Sequence, residues 1–246
     1  MSRVDVLAVG AHPDDVELSC GGTLALLRRQ GRRCGILHLT RGEMGTRGTP
    51  RQREREAEAA ARALGATTLE FLSSGDGGLR RGPAEEDALI DVLRRLRPEI
   101  VLSPSPSDRH PDHGRAHRLV ADACFYAGLR RRGDGEPHRP GAVFSYMQHD
   151  PFEASFVVDV SSVWDVKQRA LDAYESQLHR GGEPGGDEAA DDEPATKVAS
   201  REFRHAIAGR ARHFGLMIGA EYGEPFWSHL PLAVPDLLAL VPGGPR

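Results

Sequence analysis

Two short clusters of histidine and aspartate are the residues best able to do chemistry in this chain. They occupy residues 12–15 and 110–113 and comprise His12, Asp14, Asp15, His110, Asp112 and His113. Imidazole and carboxylate groups are ligands of catalytic zinc, which usually keeps three protein ligands and an open position for water. Two clusters of this kind can supply those three ligands and still leave groups over for proton transfer.

The spacing within the clusters separates metal ligands from proton carriers. His12 and Asp15 lie three residues apart in a tight turn, and His113 would complete the site from the second cluster. A bound metal lowers the pKa of its water towards about 7. Asp14 would stay outside the coordination sphere, beside the metal, where its carboxylate could accept a proton from that water.

The second cluster would supply the groups on the opposite side of the site. His110, as a cation, could stabilise an oxyanion or protonate a leaving amine, and Asp112 could hold His110 in one tautomer and raise its basicity. Either cluster alone has an ordinary alternative, since aspartates in such turns often only cap the next helix. Two clusters, each after a buried strand, favour the metal site.

A glycine-rich loop at residues 40–49 is the third feature with chemical potential. Its glycines fit a tight loop after a strand, and its arginines, Arg47 among them, could meet an anionic or polyhydroxyl substrate, with Arg53 just inside the next helix. The alternative is a flexible surface loop with solvated arginines. Its position beside the two clusters favours a substrate loop.

Buried strands alternating with helices are predicted to position these residues. Continuous apolar runs predict parallel strands at 4–9, 35–39, 68–72 and 100–103. Helical periodicity and end signals predict helices at 22–30, 51–64, 87–96 and 113–127. This order indicates an α/β fold with a Rossmann-like, doubly wound, mostly parallel sheet flanked by helices.

Both clusters and the loop then fall at the carboxyl edge of that sheet, where such folds bind ligands. The turn after the first strand reads GAHPDD, without the glycines of a dinucleotide-binding loop. The sheet topology therefore does not imply NAD.

The pattern changes after residue 140. Strands are predicted at 143–146 and 155–160, and helices at 163–178 and about 201–214, followed by a proline-rich tail. Residues 181–194 are rich in Gly, Pro, Asp and Glu and are expected to form a mobile insertion. We interpret residues 1–246 as a single domain.

Composition limits the classes of partner. The net charge of −4 gives no electrostatic case for binding nucleic acid or an anionic membrane, and no apolar run approaches the length of a bilayer span. A cytoplasmic location is the default expectation. The three cysteines are scattered and are expected to be buried small hydrophobes.

The motifs AHPDD at 11–15, GG at 21–22, TRGEMGTRGT at 40–49 and DRHPDHG at 108–114 resemble those of the LmbE-like (PIG-L) zinc-dependent N-deacetylases. Within that family the chain is most similar to the deacetylases of bacillithiol biosynthesis, through the GTRGT loop, Arg53 and the DRHPDHG motif. The resemblance covers nearly the whole chain apart from the acidic insertion and the tail.

The resemblance implies one Zn²⁺ per chain, or another divalent metal such as Fe²⁺, bound by His12, Asp15 and His113. It implies Asp14 as general base, His110 as electrostatic stabiliser or general acid, and Arg53 and Arg109 as substrate-binding or oxyanion contacts. The implied reaction removes acetate from N-acetylglucosaminyl-malate. It also implies a homo-oligomer, commonly a hexamer.

Several alternatives stay open from the sequence. The same chemistry could act on N-acetylglucosaminyl-inositol, a chitooligosaccharide, an antibiotic-linked sugar or an amide conjugate of a thiol cofactor, and a non-catalytic sugar-binding module is a remote alternative. Three tyrosines are candidates for a further oxyanion contact, namely Tyr146, Tyr174 and Tyr222.

Overall fold

The computed structural model describes residues 3–179, 194, 196–234 and 236–241. Its strands are β1 (Val6–Gly10), β2 (Cys34–His38), β3 (Thr68–Phe71), β4 (Ile100–Ser103), β5 (Ala142–Tyr146), β6 (Phe156–Asp159) and β7 (Gly223–Ser228). Its helices are α1 (Asp15–Arg29), α2 (Pro50–Leu64), α3 (Pro83–Leu96), α4 (Pro111–Tyr126), α5 (Trp164–Asp172) and α6 (Arg201–Met217), with 3₁₀ turns at Ser161–Val163 and Leu237–Leu240.

All seven described strands form one sheet in the order β3-β2-β1-β4-β5-β7-β6. The first five pair in parallel, whereas β7 runs antiparallel to both β5 and β6. The predicted α/β class with a Rossmann-like, mostly parallel sheet is therefore confirmed. The chain order reverses between β1 and β4, which is the position where doubly wound sheets bind ligands.

Each face of the sheet carries its own hydrophobic core. One core packs α1, α2, α5 and α6 against the sheet, and the other packs α3 and α4. Strand β1 contributes Val6 and Ala8 to the first core and Leu7 and Val9 to the second. Because side chains alternate along a strand, a strand covered on both faces must be apolar throughout, which explains why β1 is readable as a continuous apolar run.

Helix α1 begins seven residues earlier than predicted. Its backbone is non-helical at Cys20, with φ −132° and ψ 18°, so two helical pieces join at a kink. The carboxylate of Glu224 accepts hydrogen bonds from the backbone N–H groups of Gly22 and Thr23 and forms an ion pair with Lys167. This carboxylate satisfies amide groups freed at the kink, and the predicted start at residue 22 marks the second piece.

Strand β7 was not predicted, since the sequence after residue 214 was interpreted as a proline-rich tail. Pro225 lies within β7, in register with Val157 of β6, and a proline argues against a central strand in sequence-based reasoning. The predicted helix at 163–178 is also too long, because α5 ends at Asp172.

The remaining expectations for the second half have mixed outcomes. The insertion at 181–194 lies outside the described residues except for Pro194, and the interpretation of 1–246 as a single domain stays a prediction. The three cysteines are buried and free, as expected. Across the ranges that the structure describes, no helix combines the length and the apolar character needed to cross a membrane.

Candidate active site

The loops that follow β1 and β4 bring the two histidine–aspartate clusters together. The ring centroids of His12 and His110 are 4.7 Å apart, and those of His12 and His113 are 5.7 Å apart. Since β1 and β4 are neighbouring parallel strands, their carboxyl ends open on the same edge of the sheet. The two clusters therefore form one site.

Asp15 lies between the two histidines that were predicted to share a metal with it. Its Oδ2 is 3.5 Å from Nδ1 of His12, and its Oδ1 is 3.4 Å from Nε2 of His113. Donor atoms that share one tetrahedral zinc ion lie roughly 3.3 Å apart, given bond lengths of about 2.0 Å. The two separations are close to that value, although each involves a different oxygen of Asp15.

More metal-ligand donors face His12 than the sequence predicted. Its Nε2 is 3.1 Å from Oδ1 of Asp76 and 3.5 Å from Oδ2 of Asp112. The donor atoms of His12, His110 and His113 also lie within 4.8 Å of one another. Several combinations of three donors are therefore within reach of one small ion.

The charges of the site fit a resident cation. Oδ2 of Asp112 is buried, and no residue in the described ranges gives it a hydrogen bond. Although burial lowers the pKa of His12, the carboxylates of Asp112, Asp15 and Asp76 raise it well above its ordinary value. The buried carboxylates are thus stabilised by positive charge at this position. A divalent metal held by imidazole and carboxylate groups would supply that charge.

His113 is held in the tautomer that a metal ligand needs. Its Nδ1 is 3.0 Å from Oδ1 of Asp108, so neutral His113 carries its proton on Nδ1 and has the lone pair of Nε2 facing Asp15. Despite the opposing effect of burial, the charges of Asp15 and Asp108 and their hydrogen bonds raise the pKa of His113 to about 9. Carboxylates behind a histidine ligand commonly orient it in this way.

Asp108 is a site residue that sequence reasoning missed, although it lies inside a quoted motif. Its carboxylate also accepts hydrogen bonds from the backbone N–H groups of His110, His149 and Asp150. The sequence signal available was a carboxylate five residues before His113, in the loop that leads into α4. Gln148 was missed as well; its Nε2 donates a hydrogen bond to Oδ1 of Asp15.

Asp14 adopts a backbone conformation that is unusual for a residue with a side chain. It is the N-cap residue of α1 with φ 101°, and its side chain makes no capping hydrogen bond. Such conformations cost energy and cluster at functional sites. The alternative that Asp14 only caps the helix is therefore not supported.

The carboxylate of Asp14 faces Arg53 instead. Its Oδ2 is 3.2 Å from Nη2 of Arg53, which also donates to the carbonyl of Pro13. Burial raises the pKa of Asp14 to about 7, against the lowering effect of Arg53. A carboxylate with a pKa near neutrality is suited to general base catalysis at neutral pH.

His110 is oriented by the backbone of Asp112 rather than by its carboxylate. The N–H of Asp112 donates to Nδ1 of His110 at 3.2 Å, which makes His110 the N-cap of α4. The carboxylate of Asp112 accepts from the N–H of Leu79 and from Arg115. Because Nδ1 accepts, neutral His110 carries its proton on Nε2. The backbone N–H of Asp112, not its carboxylate, thus fixes the tautomer, and the predicted rise in basicity is wrong: burial and the charges of His12 and His113 lower the pKa of His110.

A cavity of about 290 Å³ opens on these side chains. Besides the candidate ligands it is lined by Asp14, Arg53, Arg109, His110, Gln148, His149 and residues 44–46 of the glycine-rich loop. Gly42 in that loop has φ +69°, and a Cβ there would overlap Nη1 of Arg53. The loop therefore approaches Arg53 more closely than a side chain would allow, and it forms part of the cavity wall as expected.

Arg47 has a different position from Arg53 and Arg109. Its Nε donates to the carbonyl of Ser176 and its Nη1 to that of Pro194. These bonds fasten the glycine-rich loop to a distant part of the chain. A direct contact between Arg47 and substrate stays a prediction.

The three candidate tyrosines are buried residues. Tyr146 is fully buried and donates to the carbonyl of Val9, whereas the hydroxyl of Tyr222 accepts from Arg212. Tyr174 is also fully buried. The described cavity lining contains none of the three.

Replacement of Asp108 by Asn is expected to weaken zinc binding by about 10–100-fold, because loss of the carboxylate behind His113 removes its orientation and part of its basicity. Zinc affinity measured by competition with a chromogenic chelator checks this. Asp122→Asn, at a half-exposed carboxylate of the same helix α4 that follows the Asp108 loop, is the matched control and should bind zinc as the unaltered chain does. Equal affinities in the two variants would contradict the assigned role of Asp108.

Comparison with known proteins matches the chain to a protein family, to individual relatives and to solved structures. The family model described as "GlcNAc-PI de-N-acetylase" (PIG-L) matches residues 7–124. A diacetylchitobiose deacetylase of Thermococcus kodakarensis is 35% identical over 189 residues, which cover 70% of each chain. A 4-oxalmesaconate hydratase of Pseudomonas putida is 32% identical over 197 residues, covering 70% of this chain and 74% of the relative.

A solved structure resembles nearly the whole chain. The crystal structure of the conserved protein TT1542 from Thermus thermophilus has a TM-score of 0.83 and 42% sequence identity, and the match covers 94% of this chain and 98% of that one. The segment matched by the family model contains both clusters and the glycine-rich loop.

Proposed function

Because this chain belongs to the PIG-L family of de-N-acetylases, we propose that it is a zinc-dependent hydrolase that removes the N-acetyl group from an N-acetylglucosamine conjugate. The observation that carries the proposal is that His12, Asp15 and His113 lie together at one cavity. Asp14 lines the same cavity, and its carboxylate makes no capping hydrogen bond to α1. Metal-assisted amide hydrolysis needs metal ligands, a base and a proton donor in contact with one substrate pocket.

Each of these residues has a defined part in the reaction. His12, Asp15 and His113 would hold the metal, which when bound supplies a Lewis acid for the amide carbonyl and an acidified water. Asp14 accepts a proton from the attacking water, and Arg53 keeps its carboxylate in place. His110 directs its Nε2 proton towards the developing oxyanion or the leaving amine.

N-acetylglucosaminyl-malate, the deacetylation substrate of bacillithiol biosynthesis, is the specific substrate that we propose. The supporting features are the GTRGT loop with Arg53 and the DRHPDHG motif with Arg109. N-acetylglucosaminyl-inositol, chitooligosaccharides, antibiotic-linked sugars and thiol-cofactor conjugates are the alternatives. A homo-oligomer, in particular a hexamer, and a cytoplasmic location stay predictions of the family resemblance.

Acetate release from a panel of these N-acetylglucosamine conjugates tests the function. The purified chain should release one acetate per amino sugar formed, lose this activity after chelation, and regain it on addition of Zn²⁺ or Fe²⁺. Absence of acetate from every conjugate, at about one metal per chain, would contradict the proposal and revive the sugar-binding module.

A hydratase is the second candidate, favoured by one observation. The relative named 4-oxalmesaconate hydratase shares 32% identity over a span that includes most of this chain. Incubation with 4-oxalmesaconate, followed by the change in its ultraviolet absorbance, separates the two activities. We expect acetate release and no hydration.

A further inference from the structure

A second cavity of about 280 Å³ lies directly beside the first. Leu18, Arg109, Gln148 and His149 line both cavities, so a single ligand can reach from one into the other. The wall of the second cavity is completed by Asp150, Lys197, Phe203, Ala206, Ile207 and Arg210. Ligand pockets usually measure about 300–1,000 Å³, and the two cavities reach that range only together.

Basic side chains outnumber acidic ones around this second cavity. Arg109, Lys197 and Arg210 line it, against the single carboxylate of Asp150. Within the described ranges, no carboxylate lies within ion-pair distance of any of the three basic groups. The three basic groups of this cavity therefore lack a direct ion pair with any carboxylate of the described ranges, and positive charge is in excess along the cavity wall.

Arg210 is the most informative of the three. Its guanidinium donates to the backbone carbonyls of Gln148 and Leu18, which fix its position but do not neutralise its charge. Burial lowers the pKa of Arg210 to about 10, against the raising effect of the Glu224 and Asp108 carboxylates, so Arg210 stays cationic at neutral pH. A half-buried cation that is fixed beside a cavity, with no carboxylate in direct contact, can receive an anion through charge-assisted hydrogen bonds.

Helix α6 gives the same cavity an apolar side. Phe203 and Ile207 lie one turn apart on this helix and line the cavity together with Leu18. An occupant with a short carbon skeleton and a charged end would satisfy both parts of the wall. A free inorganic anion would leave the apolar part unused.

We propose that the second cavity is the aglycone subsite and that it selects conjugates whose aglycone carries a carboxylate or phosphate group. This inference rests on the proposed function, since the first cavity must hold the N-acetylated sugar for the aglycone to enter the second. It favours an acidic conjugate over inositol or a neutral oligosaccharide.

Three matched conjugates test the inference: the N-acetylglucosaminides of glycerol, of glycerate and of glycerol phosphate. We expect kcat/KM for the two anionic conjugates to exceed that for the glycerol conjugate by at least about tenfold, because only the anionic aglycones can form charge-assisted hydrogen bonds with the basic wall. The ratio between glycerate and glycerol phosphate identifies which anion is preferred.

Two variants test whether the basic residues of the second cavity cause the preference for anionic conjugates. Lys197→Gln and Arg210→Gln should both reduce the ratio of anionic to neutral kcat/KM towards one. Arg130→Gln removes the same charge from an exposed position outside both cavities and should keep the ratio. If Arg210→Gln fails to fold, as circular dichroism would show, the exposed Lys197 still provides the test.

The outcomes separate this inference from the proposed function. Equal acetate release from all three conjugates would overturn the anionic subsite and leave the deacetylase intact. If no conjugate releases acetate, the deacetylase fails, and calorimetric titration with free glycerate and phosphate at low salt decides on the subsite. Binding that Lys197→Gln weakens supports an anion site in this cavity, whereas absence of binding, or binding unchanged by the variant, overturns it.

Discussion

The variant Asp14→Asn is expected to lower kcat for deacetylation by about 10²–10⁴-fold while it binds about one zinc per chain, because a general base contributes about that much to proton transfer. Asn keeps the size of the side chain and, like Asp, tolerates a positive φ such as the 101° of residue 14. It cannot accept a proton from water. The variant therefore tests the chemistry of Asp14 and leaves the turn before α1 in place.

Zinc content and initial rates of acetate release, measured on the same preparation, check this expectation. Asp165→Asn is the matched control, because its carboxylate is exposed on α5 and pairs only with Arg169 in the described part of the chain. The control should retain full turnover. If Asp14→Asn kept a turnover within about twofold of that of the unaltered chain, Asp14 would not be the base, because loss of a general base lowers the rate by about 10²–10⁴-fold.

The parallel half of the fold could be predicted because its strands have two covered faces. Such strands are continuous apolar runs, and β1 to β4 each lie at or within two residues of their predicted positions. Strand β7 lacks this signal, because Pro225 cannot donate to the sheet and the strand pairs with β5 and β6 from far along the chain. Its place depends on tertiary packing that no local pattern encodes.

The same distinction applies to the site. The meeting of His12 with His110 and His113 follows from two local facts, namely that each cluster ends a parallel strand and that such ends share one edge. The hydrogen bond between Gln148 and Asp15 joins residues 133 positions apart in the sequence, and no sequence motif predicts it. Local spacing therefore predicted which residues meet at the site, whereas the groups that orient them could be found only in the folded structure.

The sequence predicts that the glycine-rich loop lies at the substrate cavity, but it does not predict which arginine side chain enters that cavity. The glycine-rich loop was predicted to face the substrate, and residues 44–46 do line the cavity. Which arginine enters the cavity depends on backbone direction, and Arg47 turns to the carbonyls of Ser176 and Pro194. Arg53 enters because Gly42 leaves room for its guanidinium.

The variant His113→Gln is expected to lose its metal. Zinc should fall from about one per chain to below about 0.1 after dialysis, because the site would keep only two of three protein ligands. Deacetylation should fall in proportion to the zinc content. His113 is almost fully buried, and its Nε2 faces Asp15. The amide of Gln fills similar space but offers no imidazole nitrogen at that position. Metal analysis after dialysis, with circular dichroism to confirm folding, measures the effect.

Excess zinc distinguishes this variant from Asp14→Asn. Added Zn²⁺ should restore part of the activity of His113→Gln by mass action, since Asp14 and His110 are still present. The same addition should leave Asp14→Asn inactive, because its metal site is already filled. His205→Gln, at an exposed position of α6, controls for the loss of an imidazole and should keep both zinc and turnover. A dialysed His113→Gln that still holds one zinc per chain would remove His113 from the ligand set and leave His12, His110 and the nearby carboxylates to bind the ion.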